Sequence, residues 1–196
     1  MIKAMQEEKK ALRRGILKKR DEMSLEEQLT LSHEIMEKAV AHHTFLQAEE
    51  ILTYVNYKSE VNTKGIIEYA FLLGKKVYCP KVTADGEMEF FEISSIGDLQ
   101  EGYKGILEPD RILERQWKYS LKKALLIMPG AVFDRQGHRI GYGKGFYDRF
   151  LEKAAEHLET KAALAYEMQV QKEIPFEQHD KCVDMIITEQ EVIDCL

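Results

Sequence analysis

The chain has 196 residues, of which 44% are hydrophobic and 32% are charged, and its formal net charge is −6. These values predict one folded domain over residues 1–196 and argue against a disordered chain or a general nucleic-acid binder. No apolar run approaches the roughly 20 residues that span a bilayer, and the first residues lack the apolar core of a signal peptide. Three widely spaced cysteines fit neither a zinc pattern nor a disulfide framework. We therefore expect a cytoplasmic protein with free thiols, no membrane or nucleic-acid partner, and a monomeric or weakly dimeric state.

The N-terminal segment 3–20 is predicted to form a basic amphipathic helix. Lys9 and Arg13 stand one turn apart and share a face of this helix, and so do Lys10 and Arg14. The sequence alone leaves open whether these cations are solvated or bind a ligand.

Alternating helical and extended segments follow up to about residue 93. In order, they are a helix from a capping box at Ser24 to about His42, a strand at 51–55, a helix capped by Thr63 and closed by Gly74, a strand at 76–79 ended by Pro80, and a hairpin that turns at Asp85-Gly86. The strand–helix–strand order implies a parallel crossover.

The segment 124–151 is the most informative part of the chain. An apolar strand at 124–128 enters a polar loop rich in glycine, and a helical pattern begins at Phe146. Further strands are predicted at 161–166 and, as the last element, at 184–188. Together these elements predict a single α/β domain: a three-layer, Rossmann-like, mostly parallel sheet with helices on both faces and a β-hairpin insertion.

The glycine-rich loop favours a phosphate site at the end of a strand over an ordinary flexible loop with solvated charges. Gly141, Gly143 and Gly145 let successive backbone N–H groups turn toward one point, and Lys144 and Arg139 add positive charge. The loop matches neither the Walker A nor the dinucleotide pattern. Asp148 follows in the first turn of the helix; a carboxylate beside a phosphate requires a cation between them, which favours Mg²⁺.

These residues resemble a known family. Met128-Pro129-Gly130, Phe133-Asp134, Gly137, Arg139 and the run from Gly141 to Asp148 resemble the signature of 5-formyltetrahydrofolate cyclo-ligase, also called 5,10-methenyltetrahydrofolate synthetase. The resemblance covers nearly the whole chain. It implies that 5-formyltetrahydrofolate is cyclised to 5,10-methenyltetrahydrofolate, with ATP converted to ADP and phosphate through a phosphorylated formyl (iminophosphate) intermediate.

The resemblance also implies a role for individual residues. Lys144, Arg139 and Tyr142 would serve catalysis, and Asp148 and Asp184 would hold Mg²⁺. The implied nucleotide contacts are Lys9, Arg13, Arg139, Gly141, Gly143, Lys144, Gly145 and Tyr147. The implied folate contacts are Val55, Glu60, Tyr142 and Phe146, with the Glu60 carboxylate accepting N–H groups from the pterin ring. Because Lys10 and Arg14 have the same spacing as Lys9 and Arg13, the register of the N-terminal pair stays open.

Two positions depart from the family's pattern. Phe146 stands where many relatives have tyrosine, and Tyr142 stands where some have arginine, so a hydroxyl and one phosphate contact are missing. Two other classes also remain open: a phosphosugar isomerase or acyl-carrier transferase, and a folate- or nucleotide-binding regulator without turnover.

Overall fold

The computed structural model describes residues 2–119, 123–177 and 180–195. Its helices are α1 Ile2–Asp21, α2 Leu25–Ala41, α3 His43–Gln47, α4 Lys64–Leu72 and α5 Phe146–Ala154. Its strands are β1 Glu50–Thr53, β2 Lys76–Val82, β3 Met88–Ile93, β4 Leu99–Glu101, β5 Leu107–Pro109, β6 Ala124–Met128, β7 Val132–Asp134, β8 Arg139–Ile140, β9 Thr160–Leu164, β10 Val170–Gln171, β11 Met185–Ile187 and β12 Val192–Asp194.

A seven-stranded sheet in the order β12-β11-β9-β6-β1-β2-β3 forms the centre of the molecule. The five strands from β11 to β2 run parallel, while β12 and β3 are antiparallel edge strands. Every residue of β6 is buried, as expected for a parallel strand covered on both faces. The mostly parallel sheet predicted from the sequence is confirmed.

Helices cover both faces of this sheet, because neighbouring side chains of a strand point to opposite sides. On β1, Ile51 packs into a core with α2, α3 and α4. The next residue, Leu52, packs into a second core with Phe150 and Leu151 of α5. The expected three-layer arrangement is therefore present.

Helix α1 lies apart from these two cores. Its buried Ile16 packs with Val132, Ile140 and Ile174 of the segments that follow β6, and Leu12 and Leu17 flank this contact. This third, small core places α1 beside the loop that follows β6, at the carboxyl edge of the parallel strands.

The boundaries of several predicted elements need correction. Pro80 does not end β2, because pairing with β1 stops at Tyr78 and the missing proline N–H has no ladder partner on that side. Thr63 does not cap α4 with its side chain; its Oγ1 donates to the Tyr54 carbonyl at 2.9 Å. The strand at 184–188 is not the last element, since β12 follows it.

The predicted helix ends at Ser24 and Gly74 and the predicted hairpin are confirmed. Gly74 closes α4 in the left-handed conformation, with φ +67°, and Ser24 Oγ accepts the Glu27 N–H at 3.1 Å. The β2–β3 hairpin also forms, and β3 is the edge strand of the main sheet. No helix within the described residues is long and apolar enough to cross a bilayer.

Candidate active site

A cavity of about 750 Å³ opens at the carboxyl ends of β1 and β6. Its walls come from α1, the loop after β1, the β2–β3 hairpin, the segment 103–108 and the glycine-rich loop. Of the residues predicted to form the site, those that line this cavity are Lys9, Arg13, Val55, Glu60, Arg139, Gly141, Tyr142, Gly143, Lys144, Gly145, Phe146, Tyr147 and Asp148. The structure thus brings together residues from three distant parts of the chain.

The glycine-rich loop presents the free end of α5 to the cavity. Gly145 precedes the helix with φ +66°, and no side chain of the described residues caps this end. The first-turn N–H groups of α5 are therefore available to an anion, together with the positive end of the helix dipole.

Arginine side chains approach the loop closely because its residues lack a Cβ. A Cβ on Gly141 would lie 2.7 Å from Arg139 Nη1, and one on Gly143 would lie 3.3 Å from Arg13 Nη1. Gly143 also has φ +89°, a conformation that strains other residues. The glycines thus serve both the turn and the approach of two guanidinium groups.

Lys144 is the most available cation of the loop. Its side chain is exposed and makes no hydrogen bond or ion pair within the described part of the chain, while its carbonyl accepts a bond from Arg149 Nη1 at 2.9 Å. Arg149 also donates to the Gly86 carbonyl at 3.0 Å. Arg149 therefore anchors the loop and leaves the Lys144 ammonium free.

Arg139 and Asp148 face each other at the base of the cavity. Arg139 is buried; its Nη2 donates to Asp148 Oδ1 at 3.0 Å, and its guanidinium lies 5.7 Å from the centre of the Tyr147 ring. Its Nε has no hydrogen-bond partner among the described residues. A buried donor without a partner is costly, so an anionic ligand would be favourable here. Burial also raises the pKa of the Tyr147 hydroxyl, which stays protonated.

The structure favours the pair Lys9 and Arg13 over Lys10 and Arg14. Lys9 and Arg13 are half-buried and line the cavity, whereas Lys10 and Arg14 are exposed to solvent. Arg13 Nη1 donates to the Gly141 carbonyl at 3.5 Å.

The Lys9 ammonium is held by two acids. It lies 3.0 Å from Glu177 Oε2 and also contacts the Asp180 carboxylate. Burial alone would lower the pKa of Lys9, but the bonds and charges of Asp180 and Glu177 raise it above its usual value. Lys9 is therefore a firmly charged group at the cavity wall.

Glu60 lines the cavity from the loop that follows β1. Its Oε2 accepts the Tyr57 N–H at 2.8 Å. Burial raises the pKa of the Glu60 carboxyl, and the hydrogen bonds from Tyr142 and the Tyr57 N–H oppose this shift. Val55, at the start of the same loop, contributes apolar surface.

Aromatic rings also line the cavity. The Phe146 ring meets the Tyr103 ring edge-on at 6.2 Å. Tyr142 leaves 41% of its surface exposed, but its hydroxyl points inward, and burial raises its pKa. Tyr103 was not among the predicted residues, because a tyrosine in an irregular segment gives no local signal.

Arg20 is the principal residue that the sequence interpretation missed. It is only 4% exposed, its Nε donates to Ser59 Oγ at 3.1 Å, and its Nη1 donates to the Tyr142 hydroxyl at 2.9 Å. Lys18, Lys19 and Arg20 together look like an ordinary basic helix end. The available signal was that Arg20 lies one turn after Ile16, on the apolar face of α1.

Asp184 lies outside the cavity, so the structure does not bring the two predicted metal ligands together. Asp184 precedes β11 at the amino edge of the parallel strands, opposite the cavity. Its Oδ2 accepts the Lys161 N–H at 2.7 Å and its Oδ1 pairs with Lys161 Nζ at 2.7 Å. Within the described residues, no group of three His, Cys, Asp or Glu side chains is arranged to hold a metal ion.

The site contains no activated thiol among its described residues. Burial raises the pKa of the Cys79 thiol well above its usual value and that of Cys195 to about 11. Neither cysteine lines the cavity, and His138 is bonded to the buried Asp134 at 2.8 Å. The arrangement is built to hold anions and to position ligands rather than to supply a nucleophile.

Comparisons with known proteins agree with this geometry. The family model described as the 5-formyltetrahydrofolate cyclo-ligase family matches residues 5–189. The chain is 30% identical to the 5-formyltetrahydrofolate cyclo-ligase of Mus musculus, over 92% of this chain and 93% of the relative. The enzyme of the same name from Escherichia coli K12 is 24% identical over 90% and 98% of the two chains.

A solved structure gives the same result for the fold. The 5,10-methenyltetrahydrofolate synthetase of Aquifex aeolicus superimposes with a TM-score of 0.82 at 29% identity, covering 95% of this chain and 92% of that one. The family match spans all but the first three residues of α1, every strand of the main sheet except β12, and the glycine-rich loop. The chain therefore belongs to the 5-formyltetrahydrofolate cyclo-ligase family.

Proposed function

We propose that the protein catalyses the ATP-dependent cyclisation of 5-formyltetrahydrofolate to 5,10-methenyltetrahydrofolate, releasing ADP and phosphate. The observation that carries this proposal is the single cavity that joins an anion-binding loop at Gly141–Gly145 to the carboxylate of Glu60. Family membership and the names of the relatives support it.

The chemistry explains why such a site needs no protein nucleophile. A formyl group on nitrogen is amide-like, so its carbonyl carbon is a poor electrophile and its oxygen a poor leaving group. In the proposed path the formyl oxygen attacks the γ-phosphate, ADP leaves, and an iminophosphate forms. N10 then attacks the activated carbon and loses its proton, and the former formyl oxygen leaves with phosphate. The protein has to align two substrates and to neutralise phosphate charge.

We assign the phosphate end of the cavity to ATP. The backbone of Gly141–Gly145 and the α5 N–H groups would hold phosphate oxygens, with Lys144 and Arg139 supplying charge. Lys9 and Arg13 would reach the nucleotide from α1, and Tyr147 would support Arg139 through its ring.

We assign the part of the cavity around Glu60 to the folate. Glu60 would accept N–H groups of the pterin ring, and Val55 would contact its apolar surface. Tyr142 and Phe146 would border the point where the formyl group meets the γ-phosphate.

Of the two predicted magnesium ligands, Asp148 lines the cavity and Asp184 does not. Mg²⁺ commonly binds one or two protein carboxylates, with phosphate oxygens and water completing its coordination. Asp148 is half-buried at the phosphate end of the cavity and meets this requirement, whereas Asp184 does not. A bound Mg²⁺ would neutralise phosphate charge at this position.

Residues 1–196 would form one cyclo-ligase domain with α1 packed over the nucleotide. The protein would work in a reducing, cytoplasmic compartment, which suits the free Cys79, Cys182 and Cys195.

The test is the absorbance of the methenyl-folate product, measured with 5-formyltetrahydrofolate, ATP and Mg²⁺ and with each component omitted in turn. A rise that requires all three supports the proposal. Substrate-independent ATP hydrolysis, or turnover of a phosphosugar or acyl group, would support a different enzyme class. Folate and ATP binding without ADP release would instead indicate a regulator.

A further inference from the structure

Arg20 holds donor groups that the described part of the chain does not use. A guanidinium has five N–H donors, and in the described structure those of Arg20 reach only Ser59 Oγ and the Tyr142 hydroxyl. Its Nη2 has no protein acceptor within that part of the chain. Because Arg20 lines the cavity and is only 4% exposed, these donors are positioned for a bound ligand rather than for bulk water.

The neighbours of Arg20 define what such a ligand must offer. The Glu60 carboxylate, at the same end of the cavity, can only accept hydrogen bonds. The Tyr142 hydroxyl accepts from Arg20 and hydrogen-bonds with Glu60, so its one proton is already committed. Next to the acceptor Glu60, Arg20 is therefore a buried donor with N–H groups left available among the described residues.

The edge of a pterin ring matches this arrangement. Its 2-amino group and N3–H are donors, and the C4 oxygen beside them is an acceptor. We propose that Arg20 is a further substrate-contacting residue, which donates to the C4 oxygen while Glu60 accepts from the 2-amino group and N3–H. This inference rests on the proposed function, and it makes Arg20 a determinant of specificity for 4-oxo pterins.

The experiment compares 5-formyltetrahydrofolate with its 4-thio analogue, which keeps both donors but replaces the C4 oxygen with the weaker acceptor sulfur. Equilibrium binding is measured with a non-hydrolysable ATP analogue present. The wild-type protein is expected to prefer the oxygen ligand by about tenfold, the range of one hydrogen bond to a charged group. In Arg20→Leu the two ligands should bind within about twofold of each other.

Matched variants separate recognition from structural support. Glu60→Gln should weaken both ligands by a similar factor and keep the preference, and Tyr142→Phe should also keep it. If Arg20→Leu fails to fold, Arg20→Gln, which can still reach Ser59, takes its place with the same expected loss of preference.

Three outcomes would overturn the inference: equal wild-type affinity for the two ligands, a preference that survives the Arg20 variants, or a preference lost in Tyr142→Phe. Failure of the proposed function is a separate result, because it would appear as an absence of wild-type methenyl-folate formation in the ATP assay.

Discussion

At the scale of single residues, Lys144 provides the sharpest test of the phosphate site. We expect Lys144→Met to lower kcat by about 10²–10³, the usual loss when one charge-stabilising donor is removed. The melting temperature should stay unchanged, since the Lys144 side chain bonds nothing in the described part of the chain. Steady-state kinetics and thermal unfolding measure the two effects.

The matched control for this prediction is Lys153→Met. Lys153 pairs at 2.9 Å with the Glu87 carboxylate on the exposed side of α5, so its loss should leave kcat unchanged. Equal loss of activity in the two variants would show that overall charge, rather than the Lys144 ammonium, is responsible.

We expect the Glu60 carboxylate to be needed for folate binding but to lower the stability of the folded protein at neutral pH. Because burial raises its pKa above the unfolded value of 4.5, the folded state binds more protons in the window between the two values. Stability conferred by the protonated group is therefore lost as pH rises through that window. We expect Glu60→Gln to melt above wild type at pH 7 while binding folate poorly.

The pH dependence checks the sign of this effect. Thermal unfolding between pH 4 and pH 8 should show the advantage of Glu60→Gln shrinking as the pH falls and both proteins carry a neutral side chain. An advantage that grows on acidification would contradict the assignment.

At the scale of elements, two glycines are expected to respond in opposite ways to alanine. Gly15 lies in the interior of α1, where an added Cβ meets nothing within 4 Å, so Gly15→Ala should stabilise by about 0.5–1 kcal/mol. Gly137 turns the β7–β8 hairpin with φ +85°, and its Cβ would lie 2.3 Å from the Val183 carbonyl oxygen. Gly137→Ala should destabilise by at least about 1–2 kcal/mol.

Urea unfolding of the two glycine variants provides the measurement. The α1 variant should raise the midpoint and the hairpin variant should lower it, with little change in slope. If Gly137→Ala left the urea midpoint unchanged, the turn would be able to move away from the segment before β11. The Val183 N–H, which donates to the Gly137 carbonyl at 2.9 Å, holds the turn in place.

At the scale of the whole molecule, the ligands should tie α1 to the sheet. The helix buries few apolar residues, yet Lys9, Arg13 and Arg20 all face the cavity. A ligand at 100 times its Kd adds about 2.7 kcal/mol to the free energy of unfolding. For a chain of this size that corresponds to a rise of about 5–10 °C in Tm.

Hydrogen exchange can locate this stabilisation. Folate with a non-hydrolysable ATP analogue should increase protection in α1 and in the loops around Glu60 and Gly143. Helix α2, whose buried Ile35 packs on the face of the sheet opposite α5, serves as the internal control. Equal protection of α1 and α2 would argue against a site closed by α1.

The sequence by itself determined the order of the main helices and strands up to β11, the glycine-rich loop and its charges. These are local properties: residue periodicity selects helix or strand, and Gly141–Gly145 restricts the backbone within one short segment. The family signature lies in the same loop, so the reaction class could also be inferred.

The tertiary structure alone decided which distant side chains meet. Sheet order places the loop of Glu60 beside the loop of Lys144, and the packing of Ile16 turns Arg20, rather than Lys18 or Lys19, into the cavity. The same topology sends Asp184 to the opposite edge, where it pairs with Lys161. Such contacts depend on non-local burial and strand pairing, for which no single stretch of sequence carries a signal.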